Sequence, residues 1–186
     1  MRQKFNRGTY FAQTGVHSIN AAADGLSDGR WLLINPVNSG RMILLIDAVM
    51  SCQLIDGTVT TTCPRIQLER FSFTGTTSGS KVTICPLHIT RGQNHIGEVV
   101  TSNSGLKMTM LGAFWAYLTL GVIKIGSGVT QTAELHSPVF HHLDSPFENK
   151  IMIEAGEGII CRQPDVGMVN DPRRYITNII WGEESQ

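Results

Sequence analysis

Between Ile151 and Glu184 the chain holds three short apolar runs separated by breaks rich in Gly, Pro, Asn and Asp. Ile151 and Ile153 alternate with Met152 and Glu154, the period of a half-buried strand, and Ala155-Gly156-Glu157-Gly158 supplies the backbone freedom that a reversal needs. A second run leaves that turn from Ile159 to Arg162. A third begins at Tyr175, beyond the break from Pro164 to Pro172. The pattern predicts three closing strands, the first two joined as a hairpin, in a sheet that completes a sandwich.

The remainder repeats this texture. Thr9 to Gln13 and Val16 to Ile19 are candidate strands, followed by loop-like Ala21 to Gly29. Trp31 to Ile34 is an apolar run that stops at Asn35-Pro36, because proline cannot donate to a central ladder. After the Asn38-Ser39-Gly40 turn, Met42 to Cys52 is almost continuously apolar, which predicts burial on both faces at its centre. Asp56-Gly57 is a hairpin signal. Ile66 and Leu68 alternate with polar residues, but Phe71 and Phe73 fall out of that register, so a bulge near Glu69-Arg70 is predicted. Thr74 to Ser80 reads as a surface loop, Val82 to Cys85 as a short strand and Thr90 to Gly105 as a long loop. Leu106 to Ile125 reads as strand with a short helical interruption around Leu111 to Leu118, and Thr132 to Leu135 and Val139 to His142 as short strands either side of Pro138. Short strands with turn signals about every ten residues describe an all-β chain, a single jelly-roll-like antiparallel β-sandwich. Residues 1–29 are expected to form an N-terminal arm and first strand, and residues 30–186 the sandwich domain.

Composition bounds the chemistry. At 186 residues the chain suits one domain whose core needs no metal or disulfide support. Fifteen basic residues balance fifteen acidic ones, so the basic excess that drives nucleic-acid binding is missing. A neutral chain with only 16% charged residues is weakly protected against self-association. No apolar run follows Arg2, Gln3 and Lys4, and the apolar stretch from Leu111 to Ile123 is interrupted, so neither a signal peptide nor a membrane span is expected. Cys52, Cys63, Cys85 and Cys161 are too widely spaced for a zinc motif and read as reduced thiols.

His136, His141 and His142 lie near Glu134, Asp144 and Glu148, the strongest hint of a metal site. A cupin-like centre needs two histidines on one strand face, whereas adjacent His141 and His142 point to opposite faces of a strand. His88 and His95 sit in polar loop sequence. Ser78-Gly79-Ser80 and Gly126-Ser127-Gly128 are turn composition rather than a nucleophile elbow, and Glu154 and Glu157, the one candidate carboxylate pair, flank a turn. Arg162, Gln163, Arg173 and Arg174 form a basic concentration without interleaved aromatics, so a partner-facing patch is expected there, not a nucleic-acid site. Trp31, Trp115 and Trp181 are expected as core or interface anchors. No catalytic, cofactor-binding or metal-binding residue is expected.

Two stretches carry a resemblance. Asn35-Pro36-Val37-Asn38-Ser39-Gly40 leads into a long apolar strand, and Ala155-Gly156-Glu157-Gly158 precedes a strand that ends in Trp181-Gly182-Glu183-Glu184. Together they resemble bacteriophage virion structural proteins of β-sandwich or jelly-roll type, which decorate capsids or sit in the head or tail. Ala155 stands where proline is common, and Gly182 separates Trp181 from the acids. The resemblance implies a non-enzymatic virion subunit, made in the host cytoplasm. The expected protein is a capsid decoration or cement-type subunit that forms a homo-oligomer, a trimer, and binds the major capsid protein or another virion protein. Nucleic acid and membrane are not expected partners. The competing expectations are a tail or fibre module that binds a host-surface glycan or protein, and a cupin-like metalloenzyme.

Overall fold

The computed structural model describes residues 8–16, 31–54, 65–77, 79–87, 94–101, 106–119, 137–141, 151–162 and 173–185, and for 51–54, 65–66, 113–119, 137–141, 173–174 and 185 the backbone only. Eleven strands and no helix occur among these residues: β1 (Gly8–Gln13), β2 (Leu32–Ile34), β3 (Arg41–Leu54), β4 (Arg65–Thr74), β5 (Ile84–Pro86), β6 (Glu98–Val100), β7 (Lys107–Thr119), β8 (Ser137–His141), β9 (Ile151–Ile153), β10 (Glu157–Arg162) and β11 (Arg173–Ser185). They form two antiparallel sheets. The first runs β5-β1-β11-β3-β8, with β9 also on β3, and the second runs β6-β2-β10-β4-β7. From β1 to β6 each strand lies in the opposite sheet from the one before it, and the same holds from β9 to β11. This wrapping of one chain around two sheets is the jelly-roll habit, and the all-β sandwich expected from the sequence is the fold. β1, grouped in the sequence with an arm, lies inside the first sheet between β5 and β11.

Inner faces meet in a core that holds Tyr10, Trp31, Leu33, Leu45, Ile159 and Trp181, drawn from both sheets. The second sheet buries its outer face as well, through Leu32, Ile34, Phe71, Val100 and Ile160. Burial on both faces explains why β2 reads as an unbroken apolar run, since Leu33 faces the first cluster while Leu32 and Ile34 face the second.

Four sequence expectations change here. The turn at Gly156 (φ +83°) is not a hairpin: β9 pairs with β3 in the first sheet, whereas β10 pairs with β2 and β4 in the second, so the chain changes sheets there. The shift of register at Phe71 is not a bulge on β4, which pairs without interruption along β10 from Gln67 to Ser72. Leu68 belongs to the inter-sheet core and Phe71 to the outer cluster, so β4 is apolar on both faces. The extra residues are on β7, where Leu111, Phe114 and Tyr117 are skipped in the pairing with β4. Three bulges destroy any simple alternation, and this is why Leu111 to Leu118 mimics helix in the sequence; the backbone is strand through Thr119. Finally, the polar span read as a loop contains β6, which pairs with β2.

β3 carries its own irregularity. Ile180 pairs with Asp47 and Trp181 with Leu45, which leaves Ile46 as the extra residue. The bulge lets Ile43 and Leu45 on one side of it and Ala48 and Met50 on the other all reach the same core. Pro138 sits in β8 at the end of the first sheet's strand order, where its missing N–H is tolerated.

Gly158 on β10 lies opposite Phe71, and a Cβ there would stand 2.4 Å from Phe71 Cζ and 2.8 Å from the Leu33 carbonyl oxygen. The ring tip can yield, but the carbonyl is fixed in the ladder. Gly158→Ala is therefore expected to cost about 1–3 kcal/mol by overpacking. Urea unfolding of the variant measures this, and adding Phe71→Leu should recover only part of the loss.

Candidate functional site

The densest polar construction gathers at one corner of the sandwich and joins both stretches singled out in the sequence. Asn35 is fully buried just past the end of β2. Its N–H donates to the Glu157 carbonyl and its own carbonyl accepts from the Gly156 N–H, both at 2.9 Å. The side-chain amide donates to the carbonyls of Arg41 and Ile153, again at 2.9 Å. One side chain thus ties the start of β3 to the end of β9. The turn between β2 and β3 needs left-handed backbone at Asn38 (φ +63°) and Gly40 (φ +62°), residue types that accept it at low cost. Gly156 completes the corner by accepting from the Phe73 N–H at 3.0 Å.

Arg41 leads from this turn to Glu183, which is fully buried at the inward position of β11. The Glu183 carboxylate accepts from the Gly97 N–H at 2.9 Å, the Ile96 N–H at 3.0 and 3.1 Å, the Trp181 indole N–H at 3.2 Å and the Arg41 guanidinium at 3.0 Å. The same Arg41 nitrogen donates to the Asn94 carbonyl at 2.6 Å. Gly97 approaches so closely that a Cβ there would lie 2.8 Å from the indole nitrogen. His95 packs edge-on to Tyr10 at 5.9 Å, and Tyr10 lies 5.9 Å from Trp181. A carboxylate saturated by four donors has no lone pair left for proton transfer, so its work is to clamp residues 94–97 against β11.

Other ionic groups are likewise committed. Glu157 meets Arg70 at 2.6 Å and accepts from the Glu154 N–H at 3.2 Å, so one member of the candidate carboxylate pair is held in an ion pair. Arg162, read as part of a partner-facing patch, turns onto Glu69 at 2.7 Å, and Glu69 also accepts from Gln67. Arg173 and Arg174 lie on β11 as described backbone, and Gln163 lies outside the described residues. Lys81 and Glu98 pair at 2.7 Å beside an open cleft of about 250 Å³ lined by Ile34, Val37, Phe73, Thr77 and Leu106.

Of the histidines, His95 is held by its contact with Tyr10 and by Nδ1 at 3.3 Å from the Gly97 carbonyl. His141 contributes backbone to β8 opposite Asp47, while His88, His136, His142, Glu134, Asp144 and Glu148 lie outside the described residues. No group of His, Cys, Asp and Glu able to hold a metal occurs among the described residues. Trp31 and Trp181 are fully buried, as core anchors should be.

Cys161 is buried in the core and Cys85 is exposed. Desolvation pushes the Cys161 thiol well above its usual range. Because the folded state holds that proton while the unfolded thiol loses it above about pH 8.5, this group subtracts stability as pH rises, by about 1.4 kcal/mol per unit beyond that point. Comparing wild type with Cys161→Val across alkaline pH isolates the effect. In dilute native protein, peptide mapping after alkylation should find Cys85 modified and Cys161 untouched until denaturant is added.

The sequence did not expose the Asn35–Arg41–Glu183 network. One signal was available: Tyr175, Thr177, Ile179, Trp181 and Glu183 share the inward parity of β11, so an acid there implies buried donors waiting for it. Comparison of the chain with protein-family models, curated proteins and solved structures finds no match in any of the three.

Proposed function

We propose that the chain is a non-enzymatic structural subunit of a bacteriophage particle, a decoration-type protein that associates with itself and binds the capsid surface. In this reading its partners are further copies of the chain and the major capsid protein or another virion protein, not nucleic acid or membrane. It is made in the host cytoplasm and resides in the virion.

One observation carries the reading. The residues behind the resemblance, Asn35 to Gly40 at one end of the chain and Gly156, Trp181 and Glu183 at the other, converge on a single corner, and the bonds that the Asn35 amide nitrogen and the Glu183 carboxylate make there tie strand to strand. A protein whose motifs serve rigidity is suited to bearing load in an assembly, where binding only the assembled state stabilises it by mass action. Antibodies against the chain should label purified virions at regular positions on the shell in electron micrographs. Label confined to the tail would replace this reading with the host-recognition one, and unlabelled virions would overturn both.

A further inference from the structure

The cleft beside Lys81 and Glu98 opens on the outer face of the second sheet. Ile34 and its ladder partner Glu98 point out of that face, and Lys81, bridged to Val100, stands next to them. Ile34 is 2% exposed and Phe73 8%, so they form an apolar floor, while Val37, 52% exposed, forms a lip. The walls are fixed before any ligand arrives. On either side of Lys81 the Thr101 N–H donates to the Ser80 carbonyl at 3.1 Å and the Val82 N–H to the Val99 carbonyl at 2.8 Å, and the Phe73 N–H is held by Gly156. Hydrogen-bonding capacity is left over on the polar wall. Lys81 Nζ meets Glu98 Oε1 at 2.7 Å, and neither side chain bonds any other group among the described residues. Two ammonium protons and Glu98 Oε2 therefore remain for a ligand. Thr77 Oγ1 accepts from the Gly79 N–H at 3.0 Å, which leaves its hydroxyl proton to donate.

We infer that this cleft binds one ring of a neutral saccharide. Charge decides the class. An anion is opposed by Glu98 and a cation by Lys81, so a ligand of either sign must first separate an ion pair. A wholly apolar ligand would take water from the ammonium, the carboxylate and the Thr77 hydroxyl and return no hydrogen bond. A hydroxyl donates and accepts at once. Neighbouring hydroxyls of a pyranose therefore satisfy the spare Lys81 protons and Glu98 Oε2 while the pair stays intact, and the C–H face of the ring lies on Ile34 and Phe73. At about 250 Å³ the cleft falls below the range of about 300–1,000 Å³ that holds drug-sized molecules, so it takes a single ring and not a chain of them. A ligand of so few atoms binds weakly, with a Kd of about 1 mM. The site goes beyond the assembly reading and does not depend on it.

Titration of the full isotope-labelled chain with glucose, galactose, mannose and N-acetylglucosamine, followed by NMR, tests it. At least one sugar should move the amides of Thr77, Lys81 and Glu98. Glucuronate and glucosamine, which put a charge on the same ring, should bind about tenfold more weakly than glucose. Thr77→Trp, which fills the cleft, and the double substitution Lys81→Ala with Glu98→Ala should each weaken binding about tenfold or more. Leu87→Ala, beside β5 in the other sheet, should change nothing. Thermal melts check that the variants fold, and the charged sugars test the site in wild type without substitution. Methyl glycosides separate the two sources of such a ring: binding undiminished by the methyl group marks the end of a glycan, binding lost marks a free sugar, and both keep the site. No shift with any of the four neutral sugars, tighter binding of a charged sugar than of glucose, or binding undiminished in Thr77→Trp overturns the inference. Labelled virions with no sugar binding would sink this inference alone, whereas sugar binding by a chain absent from virions would sink the assembly reading and leave the site assigned.

Discussion

Deleting Tyr175 to Gln186 should abolish folding, leaving a chain with no cooperative unfolding transition in urea. β11 is the central strand of the first sheet, paired with β1 from Gly8 to Gln13 and with β3 from Arg41 to Leu54. Its removal strips both neighbours of their ladders and takes Tyr175, Ile179 and Trp181, each fully buried, out of the core. At about 1.5–3 kcal/mol per buried side chain, those three alone approach the 5–15 kcal/mol by which domains of this kind are stable. Trp181→Ala is the graded form of the same test and should cost about 3–5 kcal/mol. A soluble truncation that melts cooperatively would show that the first sheet does not depend on β11.

Glu183→Ala should be the most damaging single change of a polar residue, at about 3–5 kcal/mol, because it leaves buried donors facing a cavity. The donors are the N–H groups of Ile96 and Gly97, the Trp181 indole and the Arg41 guanidinium. Arg41→Ala should cost less, about 1–2 kcal/mol, since Arg41 is partly reached by solvent and the other three donors keep their acceptor. Hydrogen exchange separates a local effect from a global one: in Glu183→Ala the Ile96 and Gly97 amides should exchange faster than amides in β4. Equal acceleration throughout would mean that the carboxylate does not clamp that segment.

What could be read from the chain, and what could not, follows from how far each signal reaches. Alternation such as Ile151 and Ile153 is local, so strand positions were legible, β2 and β9 among them. Pairing is not local. The Gly156 turn has the composition of a hairpin, and nothing within four residues reveals that its two strands enter different sheets; Asn35, more than a hundred residues earlier, decides it by holding Ile153 and Gly156 at the corner. Where bulges break the alternation, as at Leu111, Phe114 and Tyr117, the period-two signal disappears although the strand persists. The clamp was hidden because its acceptor is one acid and two of its donors are backbone amides, which any residue type supplies.

The pairing of β1 with β11 carries a consequence for how the chain reaches this state. Gln13 bonds Asn178 across 165 residues, and Thr14 bonds Thr177 across 163. Loop closure over such spans is costly before any contact rewards it, so folding is expected to be slow. On the ribosome, β1 and β3 emerge long before their shared partner, and the edges that they present to it wait unpaired until β11 follows. Chaperone dependence during production, easing once β11 is released, is the behaviour expected of this connectivity.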